Sequence, residues 1–227
     1  ITSMIRVPEF DEDKYLVMVT KKGIIKRILL NAYNTARKGG LIALDLLPGD
    51  ELSFVTMTDG NSELIVGTKK GMAIRFSEKD VRPVGRTARG VRVMKLKNGD
   101  EVIGMSSLAD GDLVLTVPET GNGRLSPIDD YRLQSRGGTG VTNYHVEKYG
   151  DVAAIKVVNL DEDAILISQD GVIIRIEIQS IRQCQRPSKG VRVMRVSNDN
   201  KVVALAIAPH EDTAEKTEDE EEQDQEN

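Results

Sequence analysis

The chain has 227 residues, 39% apolar and 30% charged, which is the composition of a folded globular protein and not of a fibrous or low-complexity one. No apolar run approaches the roughly 18 residues of a membrane helix, so no membrane partner is expected. A single cysteine, Cys184, excludes an internal disulfide framework and suits a reduced, cytoplasmic compartment, and two distant histidines, His145 and His210, without a second thiol give no Cys/His metal site.

The first run in chain order is "ITSMIRVPEF". It matches the later "VIGMSSLADG", with Ile1 at the place of Val102 and Met4 at that of Met105, so residues 1–15 read as the last strand of a preceding unit plus a connector. A hairpin follows, "LVMVTKKGIIKRI" (16–28), with Gly23 in the turn, where positive φ is wanted. Next come a basic segment "ARKGG" (36–40), a strand-like run "LIALDL" from Leu41, and a last strand after the polar turn in "PGDELSFV". The order then returns three times. Hairpins stand at "LIVGTKKGMAIRF" (64–76), "LVLTVPETGNGRL" (113–125) and "AILISQDGVIIRI" (164–176), with Gly71, Gly121 and Gly171 in their turns. Gly40, Gly90, Gly140 and Gly190 fall 50 residues apart, each before an apolar run: "LIALDL", "VRVMKL", "VTNYHV" and "VRVMRV".

Each repeat thus offers four short strands rich in Val and Ile, and helical spacing is nowhere sustained. The expected fold is all-β and propeller-like, with about four full four-stranded blades at 16–63, 64–112, 113–163 and 164–210. Residues 211–227 carry ten acids against Lys216 and read as a disordered acidic tail. Without that tail, 31 cations against 36 acids become 30 against 26, and a net charge of −5 becomes +4. The expected body is basic, and the tail competes for whatever the body binds.

Before each anchor glycine the repeats read "ARKGG", "RTARG", "RGGTG" and "RPSKG". Every copy is basic. Arg37, Lys38, Arg86, Arg89, Arg136, Arg186 and Lys189 are the candidate phosphate contacts, placed by the repeat as a belt around the rim. As surface-loop residues, Arg86, Arg136 and Arg186 are expected to be removable without disturbing the fold. "SRGGTG" taken alone is a glycine-rich turn; without the Lys and Ser/Thr of a nucleotide loop it points to no ATP site. Tyr33 and Tyr131 read as loop-packing aromatics, and Asp50, Asp100 and Asp151 as turn residues. No metal ligand or catalytic residue is expected.

With "LQSRGGTGV", "GVRVM" and the "TKKG" hairpins on the page, the chain resembles the C-terminal domain of DNA gyrase A subunits over residues 1–210. That resemblance implies a β-pinwheel whose convex basic rim bends and wraps duplex DNA, within an ATP-dependent topoisomerase that introduces negative supercoils. The remainder of the A subunit and the ATPase B subunit would be its partners, and ATP and Mg would be used by other domains. The family's basic heptad, Q-R-R-G-G-K-G, has its nearest match at "QSRGGTG", which keeps Gln134, Arg136, Gly137, Gly138 and Gly140 but has Ser135 and Thr139 where cations are expected. It reads as a degenerate copy. The corresponding domain of topoisomerase IV is the alternative. A protein-interaction propeller of the WD or kelch kind stands further off, since the chain has no Trp and few aromatics.

Overall fold

A computed structural model describes residues 5–7, 9–35, 39–197 and 199–211. Residues 1–4, the core of the expected first strand, and 212–227, nearly all of the acidic tail, lie outside them.

The first repeat gives β1 (Tyr15–Thr20), β2 (Ile24–Leu29) and β3 (Leu52–Thr58). The second gives β4 (Glu63–Thr68), β5 (Met72–Ser77), β6 (Val91–Arg92) and β7 (Val102–Ser107). The third gives β8 (Leu113–Pro118), β9 (Asn122–Pro127), β10 (Val141–Thr142), a single helical turn α1 (Val146–Tyr149) and β11 (Val152–Val158). The fourth gives β12 (Glu162–Ser168), β13 (Ile173–Glu177), β14 (Val191–Arg192) and β15 (Val202–Pro209). All pairings are antiparallel within four sheets, ordered β3-β1-β2-β6, β10-β5-β4-β7, β11-β8-β9-β14 and β13-β12-β15. The sheets stand in a ring, a four-bladed propeller-like arrangement. Residues of β3, β7, β11 and β15 line one axial cavity of about 410 Å³, which makes these the inner strands and puts β6, β10 and β14 on the rim.

The alternation of each strand explains its packing. Leu64 and Val66 of β4 face the first blade beside Val17, Val19 and Ile25, while Ile65 between them joins Val114, Ile155 and Val157 of the third. Both faces of an inner blade are buried, so its strands read as nearly unbroken apolar runs. Main-chain bonds add to this packing: Val102, Val152 and Val202 donate N–H to the carbonyls of Lys21, Lys69 and Glu119 in the preceding hairpin turn, at 2.9, 2.9 and 3.0 Å.

Two expectations need correction. The blades do not coincide with the four sequence segments, because the short strand after each anchor glycine leaves its own repeat and pairs with the preceding hairpin: Val91 opposite Ile25, Val141 opposite Ala73, Val191 opposite Gly123. The run "LIALDL" is therefore not a strand. The hairpin β1-β2 belongs to its own repeat, no hairpin of an earlier repeat lies among the described residues, and Ile42 stays 74% exposed. Among the described residues the fourth blade has three strands, with no rim strand on β13, and Ile173 is 63% exposed.

Strand exchange also explains the glycines. Gly90, Gly140 and Gly190 adopt φ of +90°, +75° and +77°, and a Cβ at each would stand 2.4, 2.3 and 2.2 Å from the carbonyl oxygens of Ile25, Ala73 and Gly123 in the hairpin being capped. Only glycine lets the chain turn left-handed that close to another backbone. Gly40, at φ +73°, has nothing within 4 Å.

Candidate nucleic-acid interface

The segments leading to β6, β10 and β14 lie along the outer edge of the preceding blade. Val84 donates its N–H to the Arg27 carbonyl at 3.0 Å, Gln134 to Arg75 at 3.0 Å and Cys184 to Leu125 at 2.8 Å, next to the parallel bridges Arg27 to Pro83, Arg75 to Leu133 and Leu125 to Gln183. Each of these arms is thereby laced to the rim at the same height. The cations they carry are set by the 50-residue period.

Immediately before the three bridges stand Arg82, Arg132 and Arg182. All three are exposed, and their side chains make no hydrogen bond or ion pair among the described residues. The rim strands add exposed Arg92 and Arg192, and the turns after them add Lys95 and Arg195. None of these seven was singled out from the sequence. The period that marks Arg86, Arg136 and Arg186 also marks Arg82, Arg132 and Arg182, four residues earlier, so the signal was there.

The predicted residues divide. Arg37 and Lys38 lie outside the described residues. Arg86 is half-buried, with its guanidinium in no hydrogen bond among the described residues, while its carbonyl accepts from Lys26 Nζ. Arg89 is exposed and paired with Asp45 at 2.7 Å. Lys189 is exposed, 5.9 Å above the Tyr149 ring. Arg136 and Arg186 are not free surface cations, since both guanidiniums hydrogen-bond to main-chain carbonyls, which bears against the expectation that they are removable without disturbing the fold. Arg136 Nε donates to the Asp80 carbonyl at 2.8 Å and Nη1 to the Arg92 carbonyl at 3.2 Å. Arg186 Nε donates to the Asp130 carbonyl at 2.7 Å and Nη1 to the Thr142 carbonyl at 2.6 Å, and its guanidinium lies 5.2 Å from the centre of the Tyr131 ring.

The residues of "QSRGGTG" do come together, as a turn in which three main-chain donors are engaged. Arg136 N–H points to Asp80 Oδ2 at 3.3 Å, Gly137 N–H to the Val93 carbonyl at 2.6 Å, and Gln134 N–H to Arg75. The Gly138 carbonyl accepts from Lys95 N–H at 2.8 Å. Gly140 then supplies the left-handed turn into β10.

Buried polar groups hold the arms in place. Lys26 is fully buried in β2, its Nζ donating to the Ala43 carbonyl at 2.7 Å and to that of Arg86, and burial lowers its pKa. Arg124 occupies the equivalent place in β9 and donates from Nη1 to the carbonyls of Asn143 at 2.9 Å and Ser188 at 3.0 Å. Tyr131 packs beside it, fully buried, its hydroxyl donating to Asn143 Oδ1 at 2.6 Å. Tyr144, whose pKa burial pushes up to about 12, donates to the Lys189 carbonyl at 2.9 Å.

The hairpin-turn face differs from the rim in its electrostatics. Lys21 pairs with Glu51 at 2.7 Å, Lys69 with Glu101 and Glu119 at 3.5 and 3.7 Å, Lys70 with Asp151 at 2.8 Å and Lys201 with Glu119 at 3.6 Å. The "TKKG" cations are largely neutralised there. Asp50 Oδ1 accepts from Lys22 and Glu51 N–H, and Asp100 Oδ1 from Lys70 and Glu101 N–H, so both serve the turns. Among the described residues no helix is long and apolar enough to cross a membrane.

A family model described as "DNA gyrase C-terminal domain, beta-propeller" matches residues 14–59, 62–109, 112–159 and 162–209. The DNA gyrase A subunit of Staphylococcus aureus (strain MRSA252) is 39% identical over 224 residues, and that of strain NCTC 8325 / PS 47 is 38% identical over 224 residues. Each alignment covers 97% of this chain and 25% of the relative, so the chain spans about a quarter of the length of these curated relatives. Among solved structures, a C-terminal domain of DNA topoisomerase IV superposes with a TM-score of 0.85 at 25% identity, covering 97% of this chain and 69% of that one. A DNA gyrase A C-terminal domain superposes with a TM-score of 0.80 at 26% identity, covering 89% and 68%.

Proposed function

The chain belongs to the DNA gyrase C-terminal domain family of beta-propellers, and from that premise we propose that it binds duplex DNA along its outer rim and wraps it around the ring. The observation that carries this reading is the spacing of Arg82, Arg132 and Arg182. Three exposed guanidiniums stand at one position of three successive arms, laced to the rim by the same hydrogen bond. A repeated cation on a curved edge suits a uniform polyanion bent along that edge. Contacts to phosphates alone release counterions without reading bases, so binding is sequence-tolerant and strongly salt-dependent.

Within the complete topoisomerase this role belongs to the A subunit in the bacterial cytoplasm. Wrapping sets the handedness of the DNA crossing offered to the strand-passing core, and biases turnover toward negative supercoiling. ATP use belongs to the B subunit and cleavage to other parts of the A subunit, and no group in this chain is assigned to either. The equivalent domain of topoisomerase IV is the second reading, favoured by the close superposition on that fold.

The test uses this chain with duplex DNA across a salt series. Replacing Arg82, Arg132 and Arg182 together by Ala is expected to flatten the log-log salt slope by roughly 2 to 3 units, at about 0.9 per phosphate contact. Thermal stability should be nearly unchanged, since exposed unpaired side chains contribute within about 0.5 kcal/mol. An unchanged slope removes the rim from the binding surface. Ligation of nicked circles in the presence of the chain separates the two readings: wrapping shifts the linking number of the products, whereas bending alone leaves it in place.

A further inference from the structure

Arg136 and Arg186 repeat one geometry to the residue. In each, the main-chain N–H points to Oδ2 of the aspartate 56 positions earlier, Asp80 or Asp130, at 3.3 and 3.1 Å. Nε donates to that same aspartate's carbonyl, and Nη1 to the carbonyl 44 positions earlier, Arg92 or Thr142. Those two carbonyls belong to different blades. Asp80 follows β5 in the second blade, while Arg92 lies in β6, the rim strand of the first. Asp130 follows β9 in the third blade, while Thr142 lies in β10, the rim strand of the second. Each guanidinium therefore spans a joint between blades at the rim, and a planar fork with donors at fixed angles holds its two acceptors in a fixed relation.

Arg86 offers a comparison without a joint, since no blade precedes the first among the described residues. Arg86 stands at the same place in its arm, but 56 positions earlier the chain has Leu30, which offers no side-chain oxygen, and the segment containing Ile42 is not in a sheet. Its guanidinium makes neither bond.

We infer that Arg136 and Arg186 are positioning residues that staple the rim strand of one blade to the next blade, and so set the angle at which successive rim arginines meet a bent duplex. This rests on the DNA-wrapping reading given above. A lysine at either place keeps the charge but loses the fork. Alanine at Asp80 removes the side-chain acceptor of the Arg136 N–H and, by charge alone, favours DNA, whereas loss of the staple disfavours bending.

The experiment compares the whole chain with R136K, R186K, D80A and the control R86K. It reads thermal midpoint, salt slope, and end-to-end distance of a doubly labelled duplex by energy transfer at saturating protein. R136K, R186K and D80A are each expected to lower the midpoint by about 2 to 8 °C and to lengthen the end-to-end distance of the bound duplex, with the salt slope kept. The double variant R136K/D80A separates two contributions, the fork to the Asp80 and Arg92 carbonyls and the main-chain N–H to Asp80 Oδ2. R86K should change neither midpoint nor bend. Wild-type midpoint and bend in R136K and D80A overturn the staple at the first of the two joints, and the same result in R186K overturns it at the second. A bend changed by R86K alone overturns it at both. If the unaltered chain shows no salt-dependent DNA binding, the wrapping reading fails instead, and the midpoints still test the staple.

Discussion

Alanine at Gly140 should cost much more than alanine at Gly40, although both glycines have nearly the same φ. At Gly40 the loss is the left-handed conformation alone, about 1 to 2 kcal/mol for a residue with a Cβ. At Gly140 the new Cβ also stands 2.3 Å from the Ala73 carbonyl oxygen, about 1 Å inside ordinary contact, and both partners are backbone. The cheapest relief is for β10 to leave β5, which gives up the ladder bonds of a two-residue strand at about 1 kcal/mol net each. The total is about 3 to 4 kcal/mol, or roughly 10 °C in midpoint for a chain of this size, against roughly 4 °C for G40A. Gly138, with ordinary φ and its nearest neighbour at 3.7 Å, is the silent control. Thermal and urea unfolding of the three variants measure this directly. Equal losses for G40A and G140A would refute the argument that the anchor glycines serve strand exchange.

Glu78 is fully buried and accepts from Arg27 Nη1 at 3.2 Å, Thr58 Oγ1 at 2.6 Å and Ser62 N–H at 2.7 Å, so E78A leaves a buried guanidinium unpaired and should cost about 3 to 5 kcal/mol by urea titration. Asp163 is held below its usual pKa, first by the hydrogen bond from His210 and then by Arg175. A depressed carboxylate stabilises the fold above its unfolded pKa near 4 and loses that contribution as pH falls through the folded value. The acid limb of a stability profile should therefore flatten in D163N below about pH 4, and an unchanged limb assigns the loss elsewhere. A chain ending at Glu211, which keeps the His210 and Arg175 contacts to the last blade, should bind DNA more tightly than the full chain at low salt, with the difference vanishing as salt shortens the Debye length from about 8 Å. Equal affinities at low salt make the acidic tail an inert solubiliser.

Hairpins, turn glycines and the all-β class follow from runs of Val and Ile broken at a fixed period, because those are local properties of the chain. Which strands pair is not local. The runs from Leu41 and Val91 carry the same pattern, yet among the described residues only the second finds a hairpin edge to join, and "LIALDL" stays unpaired there. The site divides in the same way. Periodicity marks Arg132 and Arg136 equally, and what separates an open phosphate contact from a staple is the position of two carbonyls, 56 and 44 residues upstream of Arg136, which no spacing rule supplies.

Strand exchange also sets a timetable for synthesis. The ribosome completes β2 at Leu29, but the strand that closes its outer edge ends at Arg92, 63 residues later. At about 5 to 20 residues per second, the nascent hairpin waits roughly 3 to 13 seconds with an unpaired edge. Each new repeat closes the one before it and emerges open itself, so the growing chain always presents one fresh edge near the tunnel exit, where neighbouring chains on a polysome are also emerging.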